Sequence, residues 1–78
     1  MSVTVLYFAS LRDAAGLASE QWPTPESLVG LYECLQAKYG FALSPEHLRV
    51  AVDGAFADWS TPVGDGAEIA FIPPVSGG

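Results

Sequence analysis

Two hydrophobic periodicities divide the chain into predicted strands and one predicted helix. Residues 3–9 (VTVLYFA) are nearly all apolar, with β-branched and aromatic side chains on both faces, which predicts a strand that is central or covered on both sides. A weaker strand is predicted over residues 17–22, pairing back on the first and stopping at Pro23. The segment SLRDAAG between the two strands is interpreted as a turn that ends at Gly16.

Residues 26–39 follow the helical period instead. Their large apolar side chains fall within an arc of about 100° on a helical projection and so share one face: Leu28, Leu31, Tyr32, Leu35 and Tyr39. Thr24 offers a capping hydroxyl and Pro25 suits the first helical position, so we predict that the helix starts there. Gly40 is the predicted end of this amphipathic helix.

The rest of the sequence is typical of β-structure. After a polar connection at residues 44–47, LRVAVDGAFADW predicts a hairpin with a short second strand. Its two-residue turn is Asp53-Gly54, because both central positions of a type I′ turn need a positive φ. Residues 61–66 are a predicted loop and residues 67–72 the last strand.

One helix with one apolar face can cover one face of one sheet, which predicts an α+β fold. We expect a mixed sheet of four to five strands, with the hydrophobic first and last strands adjacent and parallel in its middle. This is the ubiquitin-like β-grasp arrangement. It is expected to form a single domain over residues 1–78, with residues 73–78 as an extended, flexible C-terminal tail. The strand side chains expected under the helix are Val3, Val5, Tyr7, Ile69 and Phe71.

Composition narrows the function classes. The chain has 78 residues and one cysteine, so an intramolecular disulfide is excluded, and no apolar run approaches a membrane span. The start of the sequence does not resemble a signal peptide, and a cytoplasmic location is expected. Nine acidic residues against Arg12, Lys38 and Arg49 give a net charge of −6, which disfavours nucleic-acid binding. Solubility and steering toward a basic partner explain this acidity equally well.

Conventional catalytic groups are nearly absent from the sequence. His47 stands alone on a polar connection and is expected to be solvated, and Cys34 on the flank of the helix is expected to be a semi-buried structural cysteine. One histidine and one cysteine do not make a usual metal site. Asp53, Asp58 and Asp65 fall on predicted turns, where aspartate is favoured for local hydrogen bonds. We therefore expect neither a bound metal nor a bound cofactor.

The C-terminal residues offer the remaining chemistry. A proline pair favours an extended exit from the last strand, and the side chains then shrink to two glycines. Such a thread can enter a narrow channel in a partner and present its terminal carboxylate, which becomes electrophilic once adenylated. The tail residues are Pro73, Pro74, Val75, Ser76, Gly77 and Gly78.

The end FIPPVSGG, preceded by VGDGAEIAF, closely resembles the C-terminal signature of the small-subunit family of molybdopterin synthase. VLYFASLRDAAG is similar to the first strand and loop of that family, including its arginine, here Arg12. Ubiquitin-like modifiers and the thiamine-pathway sulfur carrier share the glycine pair, but the combination DG-x-E-[IV]-A-F-x-P-P-V-x-GG is more specific. One departure is Asp53, where the family commonly has asparagine; both residues suit a turn.

The resemblance implies a sulfur carrier that is catalytic only as the small subunit of the synthase. In this family an E1-like enzyme uses ATP to adenylate the terminal glycine, and a sulfur donor protein converts it to a thiocarboxylate. The large subunit then receives the tail, and sulfur passes to cyclic pyranopterin monophosphate to build the dithiolene of molybdopterin. By this resemblance Gly78 carries the sulfur, Gly77 gives clearance, and residues 73–76 are the thread that enters the partner.

A docking surface is expected beside the tail. Phe8 and Ile72, joined by Phe56, are predicted on the sheet face opposite the helix, and Arg12 is assigned to the same surface. Two alternative functions remain. One is a ubiquitin-like modifier, attached to a target lysine through Gly78. The other is a sulfur carrier for another product, such as the thiamine thiazole.

Overall fold

The computed structural model describes residues 1–74, which form one mixed sheet with a long helix across one face. The five strands lie in the order β2-β1-β5-β3-β4, with β1 and β5 parallel at the centre and the other pairs antiparallel. The predicted α+β architecture and its central parallel pair are therefore confirmed. The elements are β1 (Ser2–Tyr7), α1 (Ala9–Ala15), β2 (Ser19–Pro23), α2 (Leu28–Tyr39), a 3₁₀ turn (Pro45–His47), β3 (Arg49–Val52), β4 (Ala55–Ala57) and β5 (Glu68–Ile72).

The core lies between α2 and the central strands. Val5 pairs with Ile69 and Tyr7 with Phe71 across the parallel ladder, and all four side chains are buried. Tyr32 of α2 packs on Phe71 with ring centroids 5.3 Å apart. The helix buries the predicted stripe except Tyr39, which is partly exposed. Truncating one of the fully buried aromatic side chains to alanine would cost about 3–5 kcal/mol, so this layer dominates stability.

The start of α2 was predicted incorrectly. The helix begins at Leu28, and the Ser27 side chain caps it by accepting a hydrogen bond from the Gly30 N–H at 3.0 Å. The hydroxyl of Thr24 is used elsewhere, because it donates to Asp65 Oδ1 at 2.6 Å. Both hydroxyl residues have capping chemistry, but starting at Ser27 makes the buried Leu28 the first helical residue.

The segment interpreted as a turn contains a short helix, which is a second correction. Its sequence ASLRDAA is rich in good helix formers, although it is too short to show a periodic stripe. Leu11 is buried against the core, and the helix packs on β1 and β5. Gly16 ends it with φ 78°, and its N–H donates to the carbonyl of Arg12 at 2.9 Å. The predicted break at Gly16 is therefore confirmed, whereas the turn predicted before it is wrong because these residues form a helix.

The hairpin turn agrees with its prediction. Asp53 has φ 52° and Gly54 has φ 85°, so both central residues lie in the left-handed region. Asp53 Oδ1 also accepts a hydrogen bond from the Glu68 N–H at 2.9 Å, and the Asp53 N–H donates to the Glu68 carbonyl at 2.8 Å. This pair of bonds ties the turn to the start of β5.

Candidate functional site

The face of the sheet opposite α2 carries a flat apolar floor. Side chains alternate along a strand, so the neighbours of the buried Val5 and Ile69 point the other way. The ladder places Leu6 beside Ala70, Ala70 beside Ala51, and Ala51 beside Phe56. Two small alanines in the middle keep the floor low, and the larger side chains around them stand above it.

Three of the four predicted docking residues lie around this floor. Phe8 follows directly after β1 and is 45% exposed, while Phe56 on β4 is 69% exposed. Ile72 is partly exposed at the end of β5, next in register to Phe8 because Tyr7 pairs with Phe71. Arg12 lies one helical turn after Phe8, with its N–H 3.4 Å from the Phe8 carbonyl.

Sequence reasoning missed one residue of this surface. Arg49 is exposed, pairs in register with Ile72, and holds its guanidinium 5.8 Å from the centroid of the Phe56 ring. The available signal was its rarity, since it is one of three cationic side chains in an acidic chain. We call the set of Phe8, Arg49, Phe56 and Ile72 the open-face patch.

A groove connects this patch to the base of the tail. It has a volume of about 740 Å³, and its walls include Phe56, Trp59 and Ile72 together with Pro73 and Pro74. Pro73 is buried and Pro74 is exposed, so the chain leaves the sheet at the groove. The other predicted tail residues and the predicted reactive glycine lie outside the described residues: Val75, Ser76, Gly77 and Gly78.

The remaining sequence candidates are not gathered at this site. His47 is exposed, as expected, with its Nδ1 3.0 Å from Ser44 Oγ. Cys34 is exposed rather than semi-buried, because it lies outside the buried stripe of α2, which consists of Leu28, Leu31, Tyr32 and Leu35. Within residues 1–74 no group of side chains is arranged to hold a metal ion. Neither described helix has the length and apolarity needed to cross a membrane.

A polar cluster holds the helical side of the sheet. Tyr7 donates to Glu20 Oε2 at 2.9 Å, Tyr39 donates to the same oxygen, and Lys38 Nζ lies 3.4 Å from Glu20 Oε1. Partial burial favours the neutral Glu20 carboxyl, but the Tyr39 and Tyr7 hydroxyls and then Lys38 outweigh it, so the pKa of Glu20 lies below its ordinary value. Burial, followed by the Glu20 carboxylate, raises the pKa of Tyr7. The cluster ties β2 to α2 and lies away from the open-face patch.

The described residues form a mixed five-stranded sheet with one long helix across one face, and the open apolar face lies beside the end of the last strand. This arrangement defines a ubiquitin-like β-grasp protein. The chain belongs to the ThiS family, whose model matches residues 5–78. It is 32% identical to the molybdopterin synthase sulfur carrier subunit of Escherichia coli, over 97% of this chain and 99% of the relative.

Solved structures agree with this placement. A protein–protein complex of subunits 1 and 2 of the molybdopterin-converting factor from Helicobacter pylori contains a chain 28% identical to this one, with TM-score 0.72 and full coverage of both chains. The small archaeal modifier protein 1 of Methanosarcina acetivorans is 27% identical, with TM-score 0.81, over 99% of this chain and 96% of that one. The likeness therefore extends to both a converting-factor subunit and a protein modifier.

Proposed function

We propose that this protein is the sulfur-carrier small subunit of a molybdopterin synthase. The observation that carries the proposal is spatial: an exposed apolar patch lies beside the buried Pro73, from which a six-residue segment runs to Gly77-Gly78. The likeness to the carrier subunit of Escherichia coli over 97% of the chain supports the same assignment. The proposed docking surface and the start of the tail therefore lie at the same end of the sheet.

The proposed chemistry takes place on the carboxylate of Gly78. An E1-like enzyme binds ATP, the carboxylate attacks the α-phosphorus, and pyrophosphate leaves to give an acyl adenylate. A sulfur donor protein then delivers sulfide, whose attack on the acyl carbon releases AMP and leaves a thiocarboxylate. Glycine suits both steps because neither Gly77 nor Gly78 places a Cβ beside the reacting carbonyl.

The large subunit is proposed to cover the open-face patch while the tail enters its active site. There the thiocarboxylate would donate sulfur to cyclic pyranopterin monophosphate to form the dithiolene. The general acids, bases and substrate-binding groups are assigned to the large subunit, so this chain would be catalytic only within the complex. The Helicobacter pylori structure, a complex of subunits 1 and 2 of the molybdopterin-converting factor, supports pairing with a large subunit.

The decisive experiment tests Gly78. Purified protein is incubated with ATP, an E1-like enzyme and a sulfur donor, and its intact mass is measured. Wild type should gain the mass difference between sulfur and oxygen. Deletion of Gly78 should abolish loading, because the new terminus falls about 3.3 Å short of the activating site. Addition of one alanine after Gly78 should abolish it too, because the reactive carboxylate is then buried in a peptide bond.

A matched pair of glycine substitutions separates reactivity from folding. Gly78→Ala should slow loading through its added Cβ, whereas Gly64→Ala should not, since a Cβ at Gly64 meets nothing within 4 Å. Thermal unfolding of the Gly78 deletion should match that of wild type. Normal loading of the shortened chain would contradict the proposed mechanism, and loss of folding would make the tail a structural element.

A protein-modifier function is the second candidate, favoured by the likeness to the archaeal modifier of Methanosarcina acetivorans. In that case the Gly78 carboxylate would form an isopeptide bond with a lysine of a target. Tryptic peptides from cells that produce the protein would then contain lysines branched with its C-terminal residues. Thiocarboxylate formation without branched lysines favours the carrier, and branched lysines favour the modifier.

A further inference from the structure

We propose that Arg49 is a recognition residue of the open-face patch, whose guanidinium receives a carboxylate from the large subunit during docking. The proposal rests on the function proposed above and adds the chemistry of the partner surface. It is carried by the position of Arg49, by its contact with Phe56, and by the distribution of charge over the described residues.

The three cationic side chains have different surroundings. Lys38 lies 3.4 Å from Glu20 and over the rings of Trp22 and Tyr39, so its charge is already compensated. Arg12 and Arg49 form no ion pair within residues 1–74. Arg49 belongs to the open-face patch and pairs in register with Ile72, so one uncompensated cation of this acidic protein lies beside the base of the tail.

Arg49 is also held in place before any partner arrives. Its guanidinium lies 5.8 Å from the Phe56 centroid, within the range at which a cation is attracted to an aromatic face. This contact restricts the side chain, and a guanidinium can bind a carboxylate in a fork through two of its N–H groups. A preorganised side chain loses less rotamer freedom on binding than a free one.

The charges around Arg49 explain why a carboxylate on the partner would bind at Arg49 rather than elsewhere on this face. Glu46 and Asp58 line the same groove, and among the described residues neither forms an ion pair with Arg49. At the other end of the same face lie Asp53 and Glu68, which are joined by the hydrogen bonds of the turn. An acidic group on the partner is repelled by these carboxylates and attracted by Arg49. The ion pair between Arg49 and the partner carboxylate would therefore set the orientation in which the partner docks.

The distance between the two ends makes this orientation effective. Ile72, the partner of Arg49 in the ladder, is four residues from Glu68 along β5, a span of about 13 Å at the usual strand rise. That span exceeds the screening length of about 8 Å at physiological ionic strength. A partner therefore meets the cationic Arg49 near the tail and the acidic Asp53 and Glu68 away from it.

The test measures binding of the full-length carrier to its purified large subunit by calorimetry, at about 50 mM and about 500 mM salt. Arg49→Met retains a side chain that packs on Phe56 but removes the charge, and it should weaken binding about tenfold at low salt and less at high salt. Arg49→Lys keeps the charge without the planar fork and should fall between. Arg49→Glu should weaken binding most.

Ala37→Glu is the matched control. Ala37 is exposed on α2, on the other side of the sheet, and this change, like Arg49→Met, takes the formal net charge from −6 to −7. It should leave affinity within about twofold of wild type, because it alters net charge without altering the patch. Equal effects of the two substitutions would overturn the proposal, since net charge alone would then explain them.

A charge swap identifies the partner group. Carboxylates around the tail channel of the large subunit are changed singly to lysine and tested against Arg49→Glu; one of them should restore binding. No restoration at any position would overturn the proposal. The proposal would also be overturned if the Arg49→Met carrier bound the large subunit normally but was adenylated slowly, or if the defect of this variant were a loss of self-association. If wild type does not bind the large subunit at all, the proposed function itself fails.

Discussion

Substitution of Phe56 should affect binding to the large subunit much more than it affects folding. It is 69% exposed, and a phenylalanine side chain offers roughly 200 Å², so about 140 Å² remains for a partner to cover. At about 25 cal/mol per Å² this area is worth roughly 3.5 kcal/mol on docking. Phe56→Ala should therefore weaken binding to the large subunit by about three hundredfold.

The folding cost of the same change is much smaller. Phe56 lies on the edge strand β4, where strand propensity spans about 1 kcal/mol, and its contact with Arg49 is worth about 0.5–1 kcal/mol. We expect a loss of about 1 kcal/mol in the free energy of unfolding. Phe71→Ala provides the opposite case, because Phe71 is fully buried and its truncation should cost about 3–5 kcal/mol.

The assay pairs calorimetric affinity with urea unfolding for each variant. Val29→Ala is the surface control, since Val29 is 36% exposed on α2 and lies on the other side of the sheet. It should change affinity by less than about twofold. The reasoning is refuted if Phe56→Ala binds like wild type. It is also refuted if its loss of binding is no larger than its loss of stability, because the patch would then act only through folding.

Two further predictions concern stability. Because the folded pKa of Glu20 is lowered, its ionised form stabilises the protein above the ordinary carboxyl pKa of 4.5, and this contribution is lost as pH falls through the folded value. Glu20→Gln should cost about 1–2 kcal/mol in urea unfolding at pH 7 and progressively less below pH 4.5, with the exposed Glu33→Gln unaffected. Asp53→Asn should leave stability within about 0.5 kcal/mol of wild type, because asparagine supplies the same Oδ1 acceptor to Glu68 and tolerates positive φ. Asp53→Ala should lose about 1–2 kcal/mol, and equal midpoints for the two Asp53 variants would contradict this account.

The central architecture was predictable because it is encoded locally. The apolar run of β1, the stripe of α2 and the Asp53-Gly54 turn each depend on residues adjacent in sequence. Pairing of the first and last strands followed from their shared hydrophobicity. The short helix α1 escaped prediction because seven residues give too little periodicity, and its stability comes from burying Leu11 against distant strands.

The side-chain arrangement was harder to predict because it depends on contacts between distant residues. Glu20 meets Tyr39 across 19 positions of sequence, so no local pattern indicates that one carboxylate joins β2 to α2. Arg49 acquires its place only when β3 pairs with β5 and brings it beside Ile72. Phe8 and Phe56 were predicted from the sequence because side chains alternate along a strand, which assigned these large apolar residues to the face that the helix does not cover.

The two faces of the sheet divide the work of folding and binding. On the helical face the buried aromatics and the Glu20 cluster satisfy one another, which leaves that layer little freedom to change. On the open face Ala51 and Ala70 are buried and have small side chains, whereas the neighbouring Phe56 protrudes. Because Phe56 lies outside the core, its exposure costs the core little stability. Pro73 is buried at the end of β5, so the position from which the tail leaves is fixed by the same core. In the proposed complex, a partner that binds the open face would therefore lie at a defined distance from Pro73, where the tail begins.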